Sequence, residues 1–145
     1  MKIIKHKNGD VLLDDDVYRL IDGRCSVTKN GHDYYTVTRY NKTLARLILG
    51  LEKGDKRIAE HKDGNSLNNQ RSNLRITTHS QNCRNTKRKG YSYCKQRKKF
   101  RVNIQINNKR IYIGQYSSEV EAKEAYKDAT LKYFGDFSYY RRKNT

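Results

Sequence analysis

The sequence predicts an α+β protein built from two small modules, and three patterns carry that prediction. Residues 56–85 read as strand, loop, strand and helix, and residues 91–133 read as three strands followed by a long helix. Residues 1–55 hold short apolar runs separated by turn signals. A chain of 145 residues suits one domain or two very small ones, and with 34% hydrophobic and 32% charged residues each core is expected to be small.

In the N-terminal region, Ile3-Ile4 and Val11-Leu12-Leu13 flank a turn signal at Asn8-Gly9-Asp10. Asp14, Asp15 and Asp16 precede Val17, Tyr18, Leu20 and Ile21. Acids in a first turn, followed by spaced apolar residues, predict a short helix over 14–21 that ends at Gly23. Cys25 to Thr28 and Tyr34 to Val37 read as strands joined across Asn30-Gly31. Leu44, Leu47, Ile48 and Leu51 form a brief helical stripe after Thr43, closed by Gly50. None of these residues carries obvious chemistry, and the region reads as packing support.

The chain changes character at Gly54. Lys56 to His61 is expected to be extended, Asp63-Gly64-Asn65 to turn it into a polar loop, and Asn73-Leu74-Arg75-Ile76 to form the next strand. Thr78 with Gln81 three residues later is a capping-box pattern that opens a helix carrying Asn82. Glu60, His61, Asn73 and Asn82 thus place hard oxygen donors, a base and a hydrogen-bonding amide within 23 positions. Adjacent strand residues face opposite ways, so the strand must end or bend at Glu60-His61 if both are to serve one point. Asn68-Asn69 reads as loop filler, His79 as a cap or phosphate contact, and Cys83 as a small packing residue.

Charge separates the chain more sharply than hydropathy. The net charge is +17, yet residues 64–118 carry 13 Lys or Arg and no Asp or Glu at all. Solvated surfaces usually mix both signs, so this window favours a polyanionic partner, with nucleic acid ahead of membrane because no basic amphipathic helix carries the charges. No apolar run approaches the length of a membrane span, and MKIIKHKNGD contains no signal-peptide core. Cysteines at 25, 83 and 94 form no CxxC, so neither a disulfide framework nor a structural zinc is expected, and a reducing cytoplasm is the simpler setting.

Thr86-Lys87-Arg88-Lys89-Gly90 reads as a basic linker, with Lys87, Arg88 and Lys89 able to follow a phosphate backbone. Beyond it, Tyr91 to Cys94 supplies a strand. Phe100, Val102, Ile104 and Ile106 then alternate with Arg101, Asn103 and Gln105. Asn107-Asn108 makes a turn, after which Ile111 and Ile113 continue the apolar side and Arg110 and Tyr112 the polar side. Ser118 with Glu121 forms a second capping box, and Ala122, Ala125, Tyr126, Ala129 and Tyr133 recur at helical spacing. The helix is expected on the apolar face of a three-stranded antiparallel sheet, leaving the other face free.

The stretch EHKDGNSLNNQRSNLRITTHSQN resembles the HNH motif of phage and intron-type homing endonucleases, a ββα-metal site, with 12 positions from His61 to Asn73 and 9 from Asn73 to Asn82. That resemblance implies His61 as general base, Glu60 and Asn82 as ligands of one divalent metal (Mg²⁺, or another such as Mn²⁺), and Asn73 as the residue that orients the histidine and its loop. The chemistry agrees: a neutral imidazole suits proton abstraction near physiological pH, and a carboxylate with an amide oxygen suits a hard cation. The family usually has Asp or His before the base. Glu60 keeps the anionic oxygen but adds a methylene, and a misplacement of about 1 Å can cost about 10²-fold in rate.

IGQYSSEVEAKEAY and KYFGDF resemble the AP2-type DNA-binding domain found behind HNH modules in phage proteins. The resemblance implies a sheet entering the major groove of double-stranded DNA, with Arg101, Asn103, Gln105, Arg110 and Tyr112 as contacts. Lys95, Arg97, Lys98, Lys99 and Lys109 are then expected on the backbone. Together the two resemblances imply an HNH endonuclease domain over 1–85, the linker 86–90 and an AP2-like domain over 91–140, in a bacterial host cytoplasm if phage-encoded. One active site cuts one strand per binding event; a monomer is expected, and cutting both strands needs a dimer or a second event. Two rivals stay open: a non-catalytic, site-specific DNA-binding protein that keeps the HNH fold, and an RNA-binding protein drawing on Tyr91, Tyr93 and Tyr112.

Overall fold

The computed structural model describes residues 1–30, 35–85 and 88–141. The chain is α+β, with several small antiparallel sheets and four α-helices among the described residues, and it divides into two compact units, Met1–Asn82 and Cys83–Thr145. No helix among the described residues is long and apolar enough to cross a membrane.

The first unit opens with a hairpin, β1 (Lys2–Ile4) and β2 (Val11–Leu13), with Lys2 opposite Leu13 and Ile4 opposite Val11. Gly9 in its turn has φ +126°, and a Cβ there would lie 2.6 Å from Leu67 Cδ1, so the position calls for glycine on two counts. The short helix α1 (Asp15–Leu20) begins after Asp14, whose carboxylate does not cap it. Asp14 Oδ2 instead accepts the backbone N–H of Arg71 at 2.8 Å. Arg71 also donates to the Ile48 carbonyl and to Asp16, so this one residue ties the second half of the unit to α1 and to the middle of the chain.

Next come β3 (Ser26–Lys29) and β4 (Tyr35–Arg39), paired antiparallel with Val27 opposite Val37. Of the turn and strand expected here, Gly31 and Tyr34 lie outside the described residues. A strand that no sequence pattern suggested, β5 (Lys42–Thr43), pairs with β4 through a tight turn in which Tyr40 and Asn41 both take positive φ, 52° and 57°. Helix α2 (Leu44–Ile48) follows. Val11, Leu13, Val17, Ile21, Val27, Val37, Leu44, Ala45, Ile48 and Leu74 bury into one core. Residues 1–55 therefore supply most of the packing against which the later elements stand.

The stretch of interest builds β6 (Ile58–His61), a 3₁₀ turn at Arg71–Asn73, β7 (Leu74–Thr77) and the helix α3 (His79–Arg84). Strands β6 and β7 are antiparallel, with Glu60 opposite Arg75 and His61 opposite Leu74. Thr78 and Gln81 exchange the two capping bonds, Gln81 Oε1 accepting the Thr78 N–H at 2.9 Å and Thr78 Oγ1 the Gln81 N–H at 3.3 Å.

The second unit is a sheet in the order β10, β9, β8 with one long helix: β8 (Tyr91–Cys94), β9 (Lys99–Ile106), β10 (Lys109–Tyr116) and α4 (Glu119–Phe134). Asn107 and Asn108 adopt φ of 48° and 63°, which closes the β9–β10 hairpin in two residues. Ser118 and Glu121 complete a reciprocal capping box at the start of α4. Val102, Ile104, Ala122, Tyr126 and Ala129 form the buried core between sheet and helix.

Of the stretch expected to be a basic linker, Thr86 and Lys87 lie outside the described residues. Lys89 and Gly90 each make a contact within the second unit. Lys89 Nζ pairs with Glu119 at 3.3 Å, and the Gly90 carbonyl accepts the Asn103 N–H at 3.0 Å. Gly90 sits against the Tyr126 ring so tightly that a side chain cannot fit.

Candidate functional site

Strand β6 ends at His61, so Glu60 and His61 are its last two residues, and alternation turns the first of them inward. Glu60 is only 4% exposed. Its register partner explains how a carboxylate survives there: Arg75 Nε donates to Glu60 Oε2 at 2.6 Å. The other oxygen, Oε1, is buried and has no hydrogen-bond partner among the described residues. A buried carboxylate oxygen left in this state is costly unless something else satisfies it, and a hard cation is the ligand such an oxygen suits.

His61 is partly buried, and its Nε2 lies 3.2 Å from Oδ1 of Asn69. The residue that touches the imidazole is therefore Asn69, a loop filler by sequence pattern alone, while Asn73 bonds elsewhere. Asn73 acts on the loop instead. Its carbonyl accepts the Lys62 N–H at 2.8 Å, its Oδ1 accepts the Asp63 N–H at 3.1 Å, and its Nδ2 donates to Asp63 Oδ1 and to the Asn68 carbonyl. Asp63 Oδ1 also takes the Asn65 N–H at 2.7 Å, and Gly64, at φ 74°, returns its N–H to the His61 carbonyl. The turn that leaves β6 is thereby locked from both sides, which holds the backbone of His61 still.

Asn82, the last residue of the first unit, lies in the second turn of α3 and is partly buried, its N–H bonded to the Thr78 carbonyl at 2.9 Å. Of the four predicted residues, Glu60 and His61 share the end of β6 and Asn73 braces the loop behind them. Asn82 follows on the capped helix α3, four residues after Thr78.

Burial holds the His61 imidazole below its ordinary value of 6.5, more than its hydrogen bond to Asn69 and the nearby carboxylates of Asp63 and Glu60 raise it. The ring is therefore neutral at physiological pH. Because the unfolded chain binds this proton more readily than the folded one, the first unit should lose stability as pH falls below about 6.5. A pH series of unfolding midpoints on metal-free protein checks this, and the loss should shrink in His61→Ala.

The second unit carries a different surface. Opposite its buried side, β9 presents Arg101, Asn103 and Gln105. Register places Arg110 opposite Gln105 and Tyr112 opposite Asn103 on β10, and Ser92 opposite Arg101 on β8. Lys95, Arg97, Lys98, Lys99, Lys109 and Arg110 are exposed, and among the described residues no carboxylate pairs with any of them or with Arg101. Arg88 is exposed too, whereas Lys89 shares its charge with Glu119, and Lys87 lies outside the described residues. The Arg101 guanidinium stacks over the Tyr112 ring at 5.3 Å. Asn103 is only partly exposed, and its Oδ1 is buried without a partner among the described residues at the centre of the face.

Simple alternation also missed one residue of this face. A bulge between Tyr112 and Gly114 shifts the register so that Gln115 pairs with Arg101. Gln115 thereby joins the polar side. The glycine within an otherwise regular strand was the signal that could have found it. Comparison with known protein families, with curated proteins and with solved structures finds no match to this chain.

Proposed function

We propose that the chain is a small metal-dependent DNA endonuclease of the HNH homing type, its first unit a ββα nuclease module and its second an AP2-type reading sheet. The observation that carries this reading is the end of β6, where a neutral imidazole adjoins a buried carboxylate with one unsatisfied oxygen. Glu60 Oε1 and the Asn82 amide oxygen fit a hard divalent cation such as Mg²⁺ or Mn²⁺. Such a cation, when bound, acts as Lewis acid at the scissile phosphate.

The chain's own residues then divide the remaining work. His61 takes a proton from a water as that water's oxygen bonds to phosphorus. The phosphorus–oxygen bond to the leaving alkoxide breaks, and the alkoxide is protonated from solvent. Asn73 keeps the loop, and so the base, in place. The sheet face and its lysines supply most of the affinity, because phosphate contacts dominate binding while base contacts specify it.

The test is nicking of supercoiled DNA by pure protein in Mg²⁺ or Mn²⁺. Absence of any nicking with either metal sinks the nuclease. Binding should be steeply salt-dependent. Lys98→Ala and Lys109→Ala should each flatten the log–log salt slope by about 0.9 for the phosphate contact removed. Arg101→Ala should instead cost about 1–3 kcal/mol of discrimination at one base pair.

A second reading has one observation in its favour. Arg75 already holds one Glu60 oxygen at 2.6 Å and offsets its charge, which weakens Glu60 as a cation ligand. A non-catalytic DNA-binding protein would then bind a specific site tightly, without cleavage and without regard to chelator.

A further inference from the structure

Asn69 is 1% exposed and is held on three sides. Its N–H donates to the Leu12 carbonyl at 2.9 Å, next to the bond that Leu12 N–H makes to the Leu67 carbonyl, so residues 67–69 lie along the free edge of β2. Its Nδ2 donates to the Ser66 carbonyl at 3.0 Å, and its Oδ1 faces His61 Nε2 at 3.2 Å. Ser66 in turn is pinned, its Oγ accepting the Tyr35 N–H at 3.1 Å.

These contacts leave no freedom in the assignment of atoms. A backbone carbonyl only accepts, so the amide atom facing Ser66 must be the NH₂ group, and the atom facing His61 must be the carbonyl oxygen. A carbonyl oxygen also only accepts, so the imidazole nitrogen facing it must carry the ring proton. In the neutral ring the lone pair is then on Nδ1.

We infer that Asn69 is a positioning residue that fixes the tautomer and the plane of His61, so that Nδ1 is the nitrogen presented to the reacting water. The inference rests on the nuclease reading for its catalytic consequence, but its structural content does not. The imidazole Nε2–H is tethered to a buried amide that is itself anchored to β2. A general base whose lone pair points the wrong way is idle however neutral it is, and a tether to the scaffold core keeps the base aimed without using the mobile end of a long side chain.

The experiment pairs ¹⁵N-detected NMR of the His61 ring, at a pH where it is neutral, with nicking kinetics on wild type, Asn69→Leu and Asn69→Asp. Leucine removes the acceptor at similar size. Aspartate keeps an acceptor toward His61 but loses the donor to Ser66. Wild type should show a pyrrole-type Nε2 carrying a protected proton and a pyridine-type Nδ1. Asn69→Leu should lose the protected proton and lower kcat by about 10²-fold at unchanged KM, the scale of a misaligned catalytic group. Asn69→Asp should retain the protected proton and most of kcat.

If Asn69 merely braces the loop, aspartate suffers at least as much as leucine, and that order overturns the inference. A ring proton on Nδ1 in wild type overturns it without any variant, even should Asn69→Leu fail to fold. Wild type that shows the predicted ring spectrum but never nicks DNA leaves the tether standing and removes the nuclease instead.

Discussion

His61→Ala should lower metal-dependent nicking by about 10²–10⁴-fold, the usual contribution of a positioned general base. The substitution is the cleanest probe of the site, because among the described residues the side chain it removes makes a single hydrogen bond, to Asn69, at the last position of β6. Truncating Glu60 would be harder to read. That carboxylate also pairs with Arg75, so its loss would mix a structural defect with a chemical one. The backbone of His61 stays in place in the variant, since the loop bonds through Asn73 and Asp63 do not involve the imidazole. DNA affinity at fixed salt should therefore be unchanged while the nicking rate collapses. Measured together, gel-shift affinity and single-turnover nicking decide the matter: a variant that nicks as fast as wild type removes His61 as the base.

Gly90→Ala should unfold the second unit well below the temperature at which wild type melts. A Cβ built at Gly90 overlaps Cε2 and Cδ2 of the Tyr126 ring outright. Tyr126 has nowhere to go. It is 7% exposed and packs in the core with Val102, Ile104, Ala122 and Ala129. The Gly90 backbone is equally constrained by the bond from Asn103 N–H to its carbonyl. Overpacking of this kind costs about 3 kcal/mol, the upper part of the usual range. In so small a unit that is a large share of the total stability, and the midpoint should fall by about 10–20 °C. Calorimetry or thermal circular dichroism checks it, and a midpoint within a few degrees of wild type would show that Gly90 is not seated on Tyr126.

Some features were readable from residue order because they are set by neighbours. The hairpin of β9 and β10 announces itself through period-two alternation and through Asn107-Asn108, which tolerate the positive φ a two-residue turn needs. Both capping boxes are four-residue patterns, and both are present with their bonds made. The adjacency of Glu60 and His61 needs no folding to see. The missing carboxylates of residues 64–118 are a matter of counting, and among the described residues no acid pairs with the basic side chains of the sheet.

Other features depend on where distant segments meet, and no local pattern carries them. Asn69 looks like any loop asparagine until the 67–69 segment docks on β2, more than fifty positions earlier, and turns its amide onto His61. Arg75 becomes the partner of Glu60 only through the register of β6 with β7, which side-chain periodicity constrains to a face but not to a residue. Gln115 reaches the polar face through a bulge that breaks the very alternation used to read the strand. Residue order thus determined most of the elements (β5 is an exception), the charge and the choice of candidate base. Long-range backbone pairing decided what holds that base, which oxygen of Glu60 is left open and which nitrogen of His61 is free, because a hydrogen bond between segments far apart in sequence exists only once the chain has closed on itself.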